Sequence, residues 1–239
     1  MKDEVVLMKK NTFYRGLFYA IGLLVLALGI TLNTKTGLGV SPIISVAFCI
    51  STIWDLNFGN ITLALYASFV VVEMILHTIR RPHGLKSLLV KDMLQLPLSL
   101  VFTRFLNIFG AVIPDFQTAY AGTFAGSFTG RLIFLIIAII LTGIGAAMSL
   151  NMRIIPNPGD GIVQALSDCI GKSVGFTKNC FDFFCISVTI ILGIVLTGHL
   201  VGICVGTVLA VIGVGRSIAV FNHFTFDKMN ELAGIRENL

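Results

Sequence analysis

Charge is what this sequence has least of. Of its 239 residues only 12 % are charged, whereas a water-soluble domain is about a quarter charged. The chain lacks the polar surface needed to coat a globule in water. Paired motifs of chemistry are missing as well: there is no HExxH, GxSxG, P-loop or kinase set. The GxG pairs at 37–39, 143–145 and 213–215 open no strand–turn–helix fingerprint. The four histidines are not spaced for a metal, and the five cysteines (Cys49, Cys169, Cys180, Cys185 and Cys204) include no CxxC, so they read as small buried thiols. No enzyme activity, no cofactor and no metal are expected. The net charge of +5 is scattered over loops rather than gathered on one face, which excludes nucleic acid as a partner.

What is present is apolar and comes in blocks. Apolar residues make up 56 % of the chain, and the mean hydropathy is +0.93. Eight apolar segments can be read, at about 13–32, 41–54, 61–79, 85–109, 132–150, 161–170, 181–196 and 200–221. Spanning about 30 Å of hydrocarbon takes about 20 residues, so the second and sixth segments are too short to cross. Each short segment follows a Gly/Pro/Asn-rich stretch, NTKTGLGVSP in the first half and NMRIIPNPGD in the second. This points to an internal duplication. In an ungapped alignment Leu32-Asn33 falls on Leu150-Asn151, Lys35 on Arg153, Ser41-Pro42 on Gly159-Asp160, and Phe58 on Phe176.

The basic residues choose the topology. If all eight segments crossed, the loop holding Arg80, Arg81 and Lys86 would lie outside. If the two short segments are re-entrant, that loop lies inside, together with Lys2, Lys9, Lys10, Arg153, Lys172, Lys178, Lys228 and Arg236, as the positive-inside rule requires. The expected fold is therefore all-α: a polytopic transmembrane helical bundle of two inverted repeats, each with three spans and one short re-entrant half-helix. The expected division is a cytoplasmic N-terminus at 1–12, a first repeat at 13–111, an external linker at 112–130, a second repeat at 131–222 and a cytoplasmic tail at 223–239, the tail reading as a short amphipathic helix. The lipid bilayer is the surrounding partner and a cell membrane the location. Inverted repeats with interrupted helices recur in transporters, with the site at the midplane.

Candidate pathway residues follow. Ser41 can cap a half-helix opened by Pro42, and Asn157 or Asp160 can cap its counterpart. Half-helix N-termini present free N–H groups that suit an anion or a polar solute. Lys35 and Arg153, at equivalent positions, either draw an anionic solute from the two sides or snorkel to headgroups. Asp160 argues the other way, for a proton or a cation. Asn33, Asn151 and Gln164 complete the set expected to line a central cavity for a small-molecule solute. Glu73, Asp92, Gln95, Asp168 and Asp182 are further polar groups within apolar segments, where ionisable residues are expensive. Asp92, Gln95 and Ser99 share one helix face. Gly198, Gly202, Gly206 and Gly213 form a small-residue stripe on the last segment, a packing face that also allows a homodimer. The alternative to transport is a scaffold or accessory subunit using that stripe to hold a biosynthetic or regulatory partner.

The turn Pro158-Gly159-Asp160-Gly161, with Gly202, Gly206-Thr207 and Gly213 and a degraded first copy at Gly39-Val40-Ser41-Pro42, resembles the YczE/YyaS/YitT family of bacterial membrane proteins over residues 10–222. The resemblance implies a bacterial inner membrane and says little about substrate.

Overall fold

A computed structural model describes the backbone at residues 2–80 and 83–235 and the side chains from residue 10 onward within those ranges. Arg81 and Arg236, and the side chains of Lys2 and Lys9, lie outside it. The described residues form helices and no strands: α1 (Lys2–Lys35), α2 (Pro42–Ile53), α3 (Phe58–Arg80), α4 (Leu85–Val112), α5 (Phe116–Ala119), α6 (Phe128–Asn151), α7 (Pro158–Ile170), α8 (Val174–Thr197) and α9 (Val205–Ala233). Six of them, α1, α3, α4, α6, α8 and α9, are long and apolar enough to cross a membrane. The chain is thus an integral, multi-pass membrane protein. Val71, Ile75, Val101, Phe183 and Val195 turn their side chains outward, as lipid-facing surfaces do, because hydrocarbon replaces water as the solvent of the bundle.

The two short segments fold as α2, with 12 residues, and α7, with 13. At 1.5 Å per residue each rises roughly 20 Å, too little to cross. Both open on proline at the first helical position, where its missing N–H is not needed and its fixed φ suits a helix.

The centre of the bundle is the pair α1 and α6. Gly22 of α1 sits against Gly145, Met148 and Ser149, and Gly29 against Ala138 and Thr142. A β-carbon at either glycine would strike α6 backbone. The order of these contacts makes the two helices antiparallel. Around them, α2 packs on α8 and α7 on α3, α1 packs on α4 and α6 on α9, and α2 meets α3 as α7 meets α8. Leu23, Leu26, Ala27 and Ile30 of α1 join Ile44, Tyr66, Phe102, Leu106 and Ala146 in one apolar cluster.

Three sequence expectations need correction. The seventh segment begins at Val174, not near 181, because Ser173 caps it through Phe176 N–H and the helix absorbs Lys178 into its second turn. The last helix begins at Val205, not near 200. Gly198 ends α8 in a left-handed conformation (φ 77°), and Gly202 (φ 77°) lies in the connecting loop, so neither continues the stripe of Gly206 and Gly213. The tail is not a separate helix: α9 runs unbroken through Asn222 to Ala233, and Met229 and Ala233 pack on Met152.

Candidate functional site

The loops before α2 and α7 bring the two half-helix starts together. Asn157 is the N-cap of α7, its side chain accepting from Gly159 N–H at 3.4 Å. Ser41 holds the equivalent place before α2 in the extended conformation a cap requires, but makes no capping hydrogen bond with its hydroxyl. Both residues line one cavity of about 70 Å³, with Asp160 in the first turn of α7, Tyr66 of α3, Thr142 of α6 and Lys178 of α8. Its apolar wall is Leu26 and Ile30 of α1 and Ala146 of α6. These residues stand midway along the antiparallel pair, so the cavity lies at mid-depth. A space of this size holds a few waters or one small polar species.

Charge enters the cavity from α7 and α8. Lys178 Nζ is held by Asp182 at 2.8 Å, one helical turn along. The lysine side chain keeps 34 % of its exposure while Asp182 keeps 3 %, so the ammonium reaches the cavity and its counter-ion stays behind in the packing. Asp160 lies within electrostatic reach of both. The cavity therefore offers a carboxylate and an ammonium together, with the free N–H groups of two helix starts.

Lys35 and Arg153 do not enter this cavity. Each follows or ends one of the antiparallel pair, so they lie at opposite ends of the bundle. Lys35 lines a pocket of about 420 Å³ with Thr34, Asn57, Asn107 and Asp115. Arg153 lines one of about 270 Å³ with Lys91, Ser149 and Pro156. Arg153 adopts φ 50°, and the carbonyls of Met152 and Arg153 accept from Arg15 at 2.8 and 3.0 Å.

The remaining candidates divide. Asn33 is buried, and its Oδ1 has no partner among the described residues. Asn151 is occupied by packing, its Nδ2 donating to Asn222 Oδ1 of α9 at 2.8 Å. Gln164 is exposed and bonded to Asp168 at 3.3 Å, which in turn pairs with Arg80. It does not line the cavity: it stands one turn past Asp160 along the same side of α7, where its side chain is exposed. Of the glycine stripe, Gly206 lies against the Leu38 carbonyl, to which its N–H donates at 2.7 Å, and Gly213 lies against Ile139. That face is filled by the chain itself.

Sequence reading missed Lys178 and Tyr66. The positive-inside rule groups Lys178 with the basic residues of the cytoplasmic side. The signal available was its four-residue spacing from Asp182, which on a helix pairs the two charges. Nothing in the sequence marks Tyr66.

A second polar group lies between α3 and α4. Gln95 Nε2 donates to Glu73 Oε2 at 2.7 Å, and one turn further along α3 His77 Nδ1 is 2.7 Å from Asp92 Oδ2. Ser99 Oγ donates to the Gln95 carbonyl at 2.6 Å. The shared face of Asp92, Gln95 and Ser99 is thus turned into the protein, and His77 is the partner its pattern did not reveal.

Compared with known proteins, residues 13–223 match the model of a family described as of unknown function, DUF6198. The chain is 25 % identical over 194 residues to the uncharacterized protein YyaS of Bacillus subtilis (strain 168), across 81 % of this chain and 89 % of that protein. These matches bear out a YyaS-like resemblance. No solved structure matches the chain.

Proposed function

This chain belongs to the family of unknown function DUF6198, which carries no activity to inherit, and we propose from the cavity itself that the protein is a secondary transporter or channel for a small polar or charged solute. The observation that carries this reading is the convergence of Ser41, Asn157, Asp160 and Lys178 on one mid-depth cavity. Irregular backbone and ionisable side chains at membrane depth are tolerated where they line a cavity or are covered by protein, and such places mark solute paths.

The reciprocal packing supports two inverted copies. α2 on α8 mirrors α7 on α3, and α1 on α4 mirrors α6 on α9. The equivalent helices α1 and α6 run antiparallel, as inversion requires. On this reading Lys35 and Arg153 stand in two end pockets and meet solutes from opposite sides. The cavity binds a species with both a donor and an acceptor face, since Lys178 and Asp160 share it. The scaffold alternative draws less support, because Gly206 and Gly213, its docking face, are packed against Leu38 and Ile139.

The test is uptake by proteoliposomes of a panel of small inorganic ions, amino acids and small carboxylic acids. Wild-type protein is expected to move at least one of them. Asp160→Asn and Lys178→Met are expected to lower the rate at least tenfold, with Gln164→Ala unchanged. Equal rates in all four proteins would remove the cavity from the path.

A further inference from the structure

Glu73 is a carboxyl that the central cavity does not use. It is 1 % exposed and Gln95 is 0 % exposed. One amide hydrogen of Gln95 satisfies Glu73 Oε2, but Glu73 Oε1 and Gln95 Oε1 have no partner among the described residues. All three oxygens converge on α7. A β-carbon on Gly161 would stand 2.7 and 2.8 Å from the two carboxyl oxygens and 3.0 Å from Gln95 Oε1. Buried acceptors left without a donor are costly. Turning the amide over only exchanges which carboxyl oxygen is stranded.

One proton resolves both. Placed on Glu73 Oε1, it donates to Gln95 Oε1, and the carboxyl and the amide close into a ring of two hydrogen bonds with all three oxygens satisfied. We infer that Glu73 is a proton-binding site, occupied in this conformation, and that α7 seats on α3 through Gly161 only while the proton is bound. This rests on the transport reading in one respect: the proton is then the coupling ion. Its loss leaves an anionic oxygen against the Gln95 oxygen at the α3–α7 contact. Releasing that contact moves α7, whose first turn carries Asn157 and Asp160 into the cavity.

The groups facing Glu73 are few. His77 lies one turn along α3 with Asp92 of α4 bonded to it, and beyond them Arg80 and Asp168 pair at the exposed end. α7 presents Gly161 at the contact, with Asp160 beside it in the first turn and, further along, Cys169 Sγ 4.0 Å from the Leu76 carbonyl of α3. α2, which also packs on α3, has no charged side chain, and its Cys49 is turned to the Thr189 carbonyl.

The test is infrared difference spectroscopy on the full chain in lipid nanodiscs, titrated from acid to alkaline pH in choline chloride. Wild type is expected to show, at neutral pH, a protonated-carboxyl C=O band that vanishes at alkaline pH. The band is expected to be missing from Glu73→Gln, shifted in Gln95→Leu, and retained in Asp92→Asn and Asp160→Asn. Glu73→Gln should fold, since two amides form the same ring. A wild type without the band at neutral pH, a band that survives Glu73→Gln, or a band removed by sodium chloride at constant pH overturns the proton site. The spectrum needs no solute, so a band without uptake leaves the site standing and sinks transport. Uptake in Glu73→Gln with unaltered pH dependence sinks the coupling alone.

Discussion

The two short helices start alike and are set in unlike surroundings. α2 begins at Ser41-Pro42 and packs on α8 through neutral groups: Ser45 Oγ lies 2.7 Å from Thr189 Oγ1, and Cys49 faces the Thr189 carbonyl. α7 begins at Asn157-Pro158 and is ringed by ionisable side chains, with Asp160 in its own first turn, Lys178 and Asp182 on α8, and Glu73 on α3. Where the alignment sets Ile43 in α2, α7 has Gly161, whose missing side chain is what lets the Glu73–Gln95 pair sit against the helix.

The inversion behind this comparison is open to the largest effect. Asn57, in the turn after α2, and Ser173, in the turn after α7, are both exposed. Single cysteines at these sites in a cysteine-free background are expected to label oppositely with a membrane-impermeant maleimide in intact cells: Asn57→Cys labelled, Ser173→Cys protected until the membrane is opened. Labelling of both from one side would make the halves parallel, and a comparison of mirrored environments would lose its basis.

The charged surroundings of α7 are expected to dominate stability next. Lys178→Met leaves Asp182, 3 % exposed, without its counter-ion. Breaking a buried pair this way costs about 3–5 kcal/mol, and the partly exposed lysine puts the expectation at the low end. The double change Lys178→Met/Asp182→Leu is expected to recover most of that loss. Thermal unfolding in detergent checks both, and a single mutant as stable as wild type would mean the pair is already hydrated.

The architecture was legible because it depends on length and apolar blocks. Six spans and two short helices follow from how many residues cross hydrocarbon, and proline at a helix's first position marks where the short ones begin. The cavity was half legible. Ser41 and Asn157 stand next to proline at helix starts, with Asp160 two residues past its proline, and a helix start has a fixed direction. Gln164 and Asn151 could not be placed, because which face of a helix meets a cavity depends on its rotation against α3 and α9. Lys178 was lost to a boundary error of seven residues, since a lysine near an apolar edge reads as an anchor. Gly202 joined the stripe only because spacing cannot distinguish a helical glycine from one at positive φ.

Gly161 gives a sharper contrast with α2. Its β-carbon position is within 3.0 Å of three oxygens, so Gly161→Ala is expected to lower stability by about 1–3 kcal/mol, as overpacking does, and more at acid than at alkaline pH if the proton seats the helix, because the contact it crowds is released once the proton leaves. On the neutral side, Thr189→Val removes one hydroxyl pair and is expected to cost about 0.5–1.5 kcal/mol with no dependence on pH. Unfolding followed at two pH values separates the cases. Equal pH dependence at both positions would show that the charged ring does not act on α7.

The smallest effect belongs to Gln164, on the same helix as Asp160 and four residues from it. Its amide is exposed and bonds to Asp168 at 3.3 Å, so Gln164→Ala is expected to change stability by no more than about 0.5 kcal/mol, as exposed substitutions do. Solute uptake should be equally untouched. The contrast with Asp160→Asn matters because both substitutions alter the same side of α7, about 6 Å apart along the helix. If charge and polarity on α7 mattered through the helix as a whole, the two would act alike. A loss of uptake in Gln164→Ala would extend the solute path along α7 beyond the cavity between the half-helix starts.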